Sequence, residues 1–478
     1  MSGNQDAMTF AGPLVVGKTS HADLTWNEKL RGDAVSPSTI NFKGKVDAQD
    51  LVSLGFPVLD YARGPVGVDF KAVGKGQDVN TGQASLDFRD ASITLPKGFW
   101  IKPVGQTGTI KFEISRQRDN SLMLNNVVAS GQGMSGVATA HVAESGDLLE
   151  ASSSRIVLSG ALDGRVSAKR VAGQLLLVNV TGPFLNIGPF FAPDPALSDP
   201  HAPGMAIKPG KLSPAFEIDA MSTRVRMRAD AEVSNATVVA GSDGKALTKF
   251  ALNGADPGGK PFKLEINPVA GQPVGRLIMR AQDAGFAVRA ITSQTNVKGG
   301  AAEADGSWRF AESPTAQIQV RMHDFRLIKV PAMASLLQSV GSLTGMVDML
   351  NNDGIQFTAF EAPMTMANNQ VTLGDCRASG PAVGLTAKGG VNLNDGNVAI
   401  DGVIVPSFGV NSFLGGMPIL GNLWVSRKGE GVFGLTYSLK GPADKPSVGV
   451  NPLSALTPGI FRRIFEPIPK AKVPEKAG

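Results

Sequence analysis

One cysteine, two tyrosines, four histidines and four tryptophans are all that this 478-residue chain holds of the residue types that most often carry chemistry. Cys376 stands alone, so it forms no internal disulfide and builds no metal site by itself. A single cysteine suits the cytosol, and equally an envelope protein that avoids disulfides. His21, His141, His201 and His323 are scattered, with no H-x-x-x-H spacing. The one adjacent His–acid pair, His323–Asp324, would point its side chains to opposite faces of a strand. No metal centre, cofactor or catalytic triad is therefore expected. Charged residues make up only 18% of the chain and the net charge is +5. Without a basic helix, and with Tyr61 and Tyr437 the only tyrosines, there is no stacking platform for nucleic acid. No run of 18 apolar residues exists to cross a membrane as a helix. The opening Met1-Ser-Gly-Asn-Gln-Asp6 lacks the charged-then-apolar order of a signal peptide. The chain reads as cytosolic, or as lacking its targeting part.

Glycine is abundant, at 57 residues, with no Gly-X-Y period. Short runs of alternating apolar and polar residues recur between turn residues, the pattern of half-buried strands. The clearest is Phe433-Gly-Leu-Thr-Tyr-Ser-Leu439, which puts Phe433, Leu435, Tyr437 and Leu439 on one side. Asn397 to Val405 follows Asn394-Asp-Gly, a hairpin signal. Similar runs are Ala84–Arg89, Gln174–Val180, Phe216–Asp219, Thr223–Arg228 and Gln317–Met322. The spacing predicts a mainly β chain, a long antiparallel meander with a few short helices. Helices are predicted near 47–54, 281–291, 331–350 and 458–466. Eight prolines between Gly182 and Pro214 mark a linker or loop over 187–214. The chain is divided there, into a segment 1–186 and a segment 215–466, with a disordered Pro- and Lys-rich tail over 467–478.

Two nucleotide-binding motifs fail on context. Gly429-Glu-Gly-Val-Phe-Gly434 matches G-x-G-x-x-G, but a strand follows it where a helix is needed. Gly254-Ala-Asp-Pro-Gly-Gly-Lys-Pro261 approaches the P-loop but has Pro261 where the metal-binding hydroxyl belongs, and Asp256-Pro-Gly-Gly reads as a turn. Near the C-terminus, Ile460, Phe461, Ile464 and Phe465 share one helical face, with Arg462 and Arg463 on the other. That helix suits an anionic membrane surface or the end of an apolar groove, or it packs on the sheet as an ordinary terminal helix.

The run Val405-Pro-Ser-Phe-Gly-Val-Asn-Ser-Phe-Leu-Gly-Gly-Met-Pro-Ile-Leu-Gly-Asn-Leu423 resembles a motif of the AsmA-like C-terminal domain family, the YhdP, TamB and AsmA group of Gram-negative envelope proteins. Gly429 to Phe465 is similar to that family's closing signature. Gln282-Asp-Ala-Gly-Phe-Ala-Val-Arg-Ala-Ile291 followed by Lys298-Gly-Gly, and Gly64-Pro-Val-Gly-Val-Asp-Phe70, resemble its earlier elements. The likeness covers roughly 45–466. It implies a bridge-like lipid transfer protein: a periplasmic, taco-like β-groove, anchored in the inner membrane by a helix that this chain lacks, so the chain is taken as N-terminally incomplete. Its partners would be phospholipids, inner or outer membrane surfaces, and other envelope proteins.

The physics agrees with that expectation. A meander with one apolar face must cover it, by curling on itself or with acyl chains worth about 0.8 kcal/mol per buried CH₂. Candidate groove-lining residues are Val398, Ile400, Ile404, Phe433, Leu435, Tyr437 and Leu439. The competing reading is a non-catalytic structural or assembly factor with a dry β core. An outer-membrane barrel would need aromatic girdles, for which the chain has too few tyrosines and tryptophans. An enzyme is not expected.

Overall fold

The computed structural model describes residues 2–3, 7–17, 20–30, 38–53, 61–75, 78–171, 175–191, 215–228, 231–244, 246–311, 314–338, 344–406, 435–443 and 445–451. The fold is mainly β, a long mixed sheet that is not closed, with few short helices. It divides into two compact units, Met1–Arg228 with Glu232–Lys245, and Ala229–Ala231 with Ala246–Gly478.

The first unit opens with β1 (Ser2–Gly3), β2 (Ala7–Val16), β3 (Ser20–Lys29) and β4 (Ser38–Asp47). Next come α1 (Ala48–Ser53), β5 (Ala62–Arg63), β6 (Pro65–Lys75) and β7 (Asp78–Asp87). After β8 (Ser92–Thr94) and β9 (Ile101–Lys102), long strands follow: β10 (Gly108–Arg116), β11 (Leu122–Gly131), β12 (Met134–Val142) and β13 (Leu148–Leu158). The unit closes with β14 (Leu162–Arg170), β15 (Leu176–Asn186), β16 (Phe216–Arg226) and β17 (Glu232–Ser242). Successive long strands pair antiparallel, with β6 beside β4 and β10 beside β7, while β5, β8 and β9 form a separate small sheet.

One junction breaks the expected antiparallel meander. β15 and β16 run parallel, Leu176 opposite Phe216 through Asn186 opposite Arg226. A parallel neighbour requires the chain to return over the full strand length, a dozen residues or more. The Pro-rich stretch supplies that length. It thus connects two strands of the same unit, and the division between units falls after β17.

The second unit holds β18 (Leu247–Ala255), β19 (Pro261–Pro268), β20 (Gly275–Ala281), α2 (Ala284–Thr292), β21 (Val297–Lys298), β22 (Ala301–Arg309) and β23 (Thr315–Leu327). There follow α3 (Pro331–Gln338), α4 (Thr344–Asn351), β24 (Ile355–Ala367), β25 (Gln370–Ser379), β26 (Val383–Asn392), β27 (Asn397–Pro406), β28 (Leu435–Pro442) and β29 (Ser447–Asn451). All its pairings are antiparallel. The helix predicted over 331–350 is present as two helices. The helix predicted over 458–466, with Ile460 to Phe465, lies outside the described residues, as do the 467–478 tail and residues 407–434, which hold most of the first signature run and the start of the second.

In each unit the inserted elements follow the same end of the strands. α1 and β5 follow β4, and β8 and β9, which complete the small sheet, lie between β7 and β10. α2 follows β20, and α3 and α4 follow β23. Asp283 caps α2 by accepting from the Phe286 amide, as an N-cap should. Phe286 then meets Phe262 edge-on at 5.3 Å. Phe325 stacks on Phe357 at 5.5 Å and sets its edge to Phe360 at 6.3 Å. Leu337 of α3 and Leu350 of α4 are fully buried. In the first unit, Leu51 of α1 packs with Val46, Val66, Leu86 and Phe88. Beside that cluster, the ammonium of Lys102 is wholly buried and donates to the carbonyls of Phe88 (2.6 Å), Ala91 (2.8 Å) and Pro103 (3.1 Å).

Phe357→Ala should cost about 3–5 kcal/mol, the range for truncating a large core aromatic. Urea denaturation followed by intrinsic fluorescence measures it, and a loss under about 1 kcal/mol would mean that this end of the sheet is loosely packed.

Candidate binding face

The cross-strand register assigns the paired strand residues described in the second unit to one of two faces, because directly opposed residues share a face. One row runs Leu264–Met279–Ala304–Val320–Ala362 across β19 to β24. It continues Cys376–Ala387–Gly402–Tyr437–Val450 across β25 to β29. The next row runs Ile266–Leu277–Gly306–Ile318–Met364–Leu373–Gly389–Ile400–Leu439–Val448. Apart from the tyrosine hydroxyl and the cysteine thiol, no side chain in either row is polar. The opposite face carries Lys263, Glu265, Arg280, Asp305, Gln319, Arg321, Glu361, Arg377, Lys388 and Asp401 in the same register. Glu361 there accepts from Arg377 (3.0 Å) and Gln319 (3.0 Å), and Arg280 grips Asp305 with two bonds of 2.8 and 2.9 Å. The first unit follows the same rule, with Phe42 opposite Phe70, Phe70 opposite Ala84 and Ala84 opposite Phe112, against Asn41, Lys71, Gln83 and Glu113 behind them.

Six of the seven groove candidates read from the sequence meet on the apolar face. Ile400 stands opposite Leu439, Ile404 opposite Leu435, Val398 opposite Gly441, and Tyr437 opposite Gly402. Phe433 lies outside the described residues. Ile404 and Tyr437 are buried, and the other four are half-buried. The apolar rows of β18 to β26 were not singled out from sequence, although Phe262-Lys-Leu-Glu-Ile266 already shows the alternation that identifies them.

Tyr437 lies flat across its neighbour. Its hydroxyl donates to the Thr386 carbonyl at 2.7 Å, two strands away. A Cβ on Gly402 would stand 2.6 Å from that hydroxyl, so only glycine fits beneath the ring. Burial raises the Tyr437 pKa, with Cys376 and Asp401 adding to it. The Cys376 thiol is likewise pushed up to about 11, first by burial and then by Asp375, which keeps it in the thiol form near neutral pH. Among the described residues, no group of three His, Cys, Asp or Glu side chains is placed to hold a metal ion. No described helix is long and apolar enough to cross a membrane.

A depression of about 720 Å³ spans β25 to β29. Its side chains come mainly from the polar face, among them Asp375, Arg377, Thr386, Lys388, Asp401 and Ser438. Acids and bases alternate in it, so it presents no field of one sign.

No protein-family model, curated protein or solved structure matches this chain.

Because the folded pKa of Tyr437 is raised, its contribution to stability is complete below the ordinary tyrosine pKa of about 10 and is lost as pH climbs through the folded value. In a Tyr61→Phe, Tyr437-only protein, tyrosinate absorbance should be absent at pH 10 and appear only with unfolding. Titration near pH 10 in the native state would contradict the burial.

Proposed function

We propose that the chain is part of an envelope lipid-transfer protein, in which the apolar face of the sheet carries phospholipid acyl chains between the inner and outer membranes. The observation that carries this reading is the continuous apolar face. It crosses the long strands of each unit, and among the described residues no helical layer lies over its central rows; a face of that kind must be covered. Acyl chains cover it without specific polar contacts, and uniform, weak, numerous contacts let them slide.

We further propose that the face curls into an open groove within each unit. Two facts support this. Among the described residues, the exposed large apolar side chains are all on the polar face, in short elements or in turns, and none belongs to the apolar rows. A flat uncovered sheet would leave residues such as Ile318 and Met364 widely exposed, yet they are half-buried. Moreover, α3, which starts four residues after β23, comes within 8 Å of β29, the sixth strand along. On a flat sheet those strands stand about 29 Å apart, the limit of what the linking residues and α3 could bridge. Curling toward the apolar side shortens that distance.

In this reading the protein is non-catalytic, works in the periplasm, and meets membrane surfaces and other envelope proteins. The assignment also draws on the resemblance to the AsmA-like family of the sequence runs above, which no family model matches. The second reading, an outer-membrane assembly factor with a dry core, is favoured by one fact: the large depressions described in the sheets are lined mainly from the polar side.

Native mass spectrometry of protein purified from an envelope-expressing host separates the two. The expected result is co-purifying phospholipid, lost at least tenfold in Ile400→Asp/Leu439→Asp protein that keeps its β-sheet circular dichroism. Folded wild-type protein free of lipid would favour the assembly factor.

A further inference from the structure

Trp308 sits next to the last residue of β22, at the strand ends away from α2, α3 and α4. The register places it on the apolar face, between Gly275 of β20 and Ala316 of β23. Those two small neighbours leave the indole room to lie on the sheet. Phe310 stands beside it, ring centres 6.1 Å apart. The indole Nε1 is buried and has no hydrogen-bond partner, the one such side-chain atom among the described residues. Trp26, by contrast, donates to Glu28 at 3.1 Å.

A buried donor without an acceptor costs stability, and few native groups are left so. A ligand that supplies the acceptor is one physical reason for retaining such a group. The acceptor must arrive on a molecule whose body suits an apolar face, since Nε1 is closed to water on the apolar side of a half-buried indole. An acyl ester meets both conditions: its carbonyl oxygen accepts, and its chain continues along the face.

The same strand ends carry a third element. Arg276, opposite Ser307, and Arg309, opposite Thr315, are both exposed. Neither has an ion-pair partner among the described residues. Their backbones place them on the polar face, within one or two positions of Trp308 along the strand or across it. A tryptophan with one apolar side and one donor, beside free cations at the margin of an apolar surface, matches the order of groups in a glycerophospholipid: chain, ester, phosphate.

We propose that Trp308, with Arg276 and Arg309, forms an ester- and phosphate-level anchor for a glycerophospholipid whose chains lie on the apolar face of the second unit. This rests on the lipid-binding reading above. The chains displace the apolar atoms that cover Nε1, the ester carbonyl accepts from it, and the two arginines meet the phosphate.

The test compares diester phosphatidylglycerol with its diether analogue, which keeps chains and phosphate but lacks both carbonyls. Binding is followed by fluorescence of Trp308 in protein with Trp26, Trp100 and Trp424 changed to Phe. A radiolabelled lipid gives the readout for Trp308→Phe, which keeps the ring and removes the donor. The anchor predicts that the diester binds about fivefold more tightly than the diether, that Trp308→Phe erases this ratio, and that Arg276→Gln/Arg309→Gln weakens both lipids and flattens their salt dependence. An unchanged ester-to-ether ratio in Trp308→Phe, with binding retained, overturns the anchor and leaves the groove standing. Folded protein that binds neither lipid overturns the groove as well.

Discussion

A β-sheet has two faces, and this chain keeps the rows of one of them almost wholly apolar while the other carries its charges. That imbalance is the constraint from which the rest follows. A sandwich would close its apolar face with a second sheet, and an α/β fold would lay helices over it. Here helices and the small sheet reach only one end of the strands in each unit, where Phe325, Phe357 and Leu337, or Val46, Leu51 and Phe88, pack to full burial. The remaining rows depend on curvature or on an occupant.

The polar face works under a different rule. Its charges are paired across strands, as Arg280 with Asp305 and Arg377 with Glu361, yet exposed pairs of this kind contribute only about 0–1 kcal/mol each. Their value is in register. A slip of one residue would send every lysine and glutamate to the apolar side, so the pairs and the alternation specify one alignment between them. Lys102 is the exception, a cation placed inside the fold. Its burial lowers its pKa, while three backbone carbonyls satisfy its protons and tie the turn after β7 to β9.

Much of this was legible in the residues. The alternation in Leu435-Thr-Tyr-Ser-Leu439 and in Val398 to Ile404 identified both strands and the face they share, and Asn394-Asp-Gly fixed the hairpin of β26 and β27. The helix expected over 281–291 is present as Ala284–Thr292. The parallel junction was not legible, because alternation with a period of two has no direction and a proline-rich loop does not say which end of a strand it returns to. Nor was the buried state of Lys102, since its three acceptors are carbonyls that every residue carries. Trp308 was invisible for a related reason: its place on the apolar face follows from the pattern, but the absence of a partner for its nitrogen depends on what surrounds it in space.

The antiparallel array has a further property. Most of its strands touch only the strand on either side, so its stability sums over neighbouring interfaces much as it does in repeat proteins. Two strands can be added to or removed from such an array without altering the faces of those that remain, because an even number preserves both direction and alternation. Length is then a quantity that evolution can adjust in steps of one hairpin, about 10 Å at a time, while the capped ends and the apolar surface stay as they are.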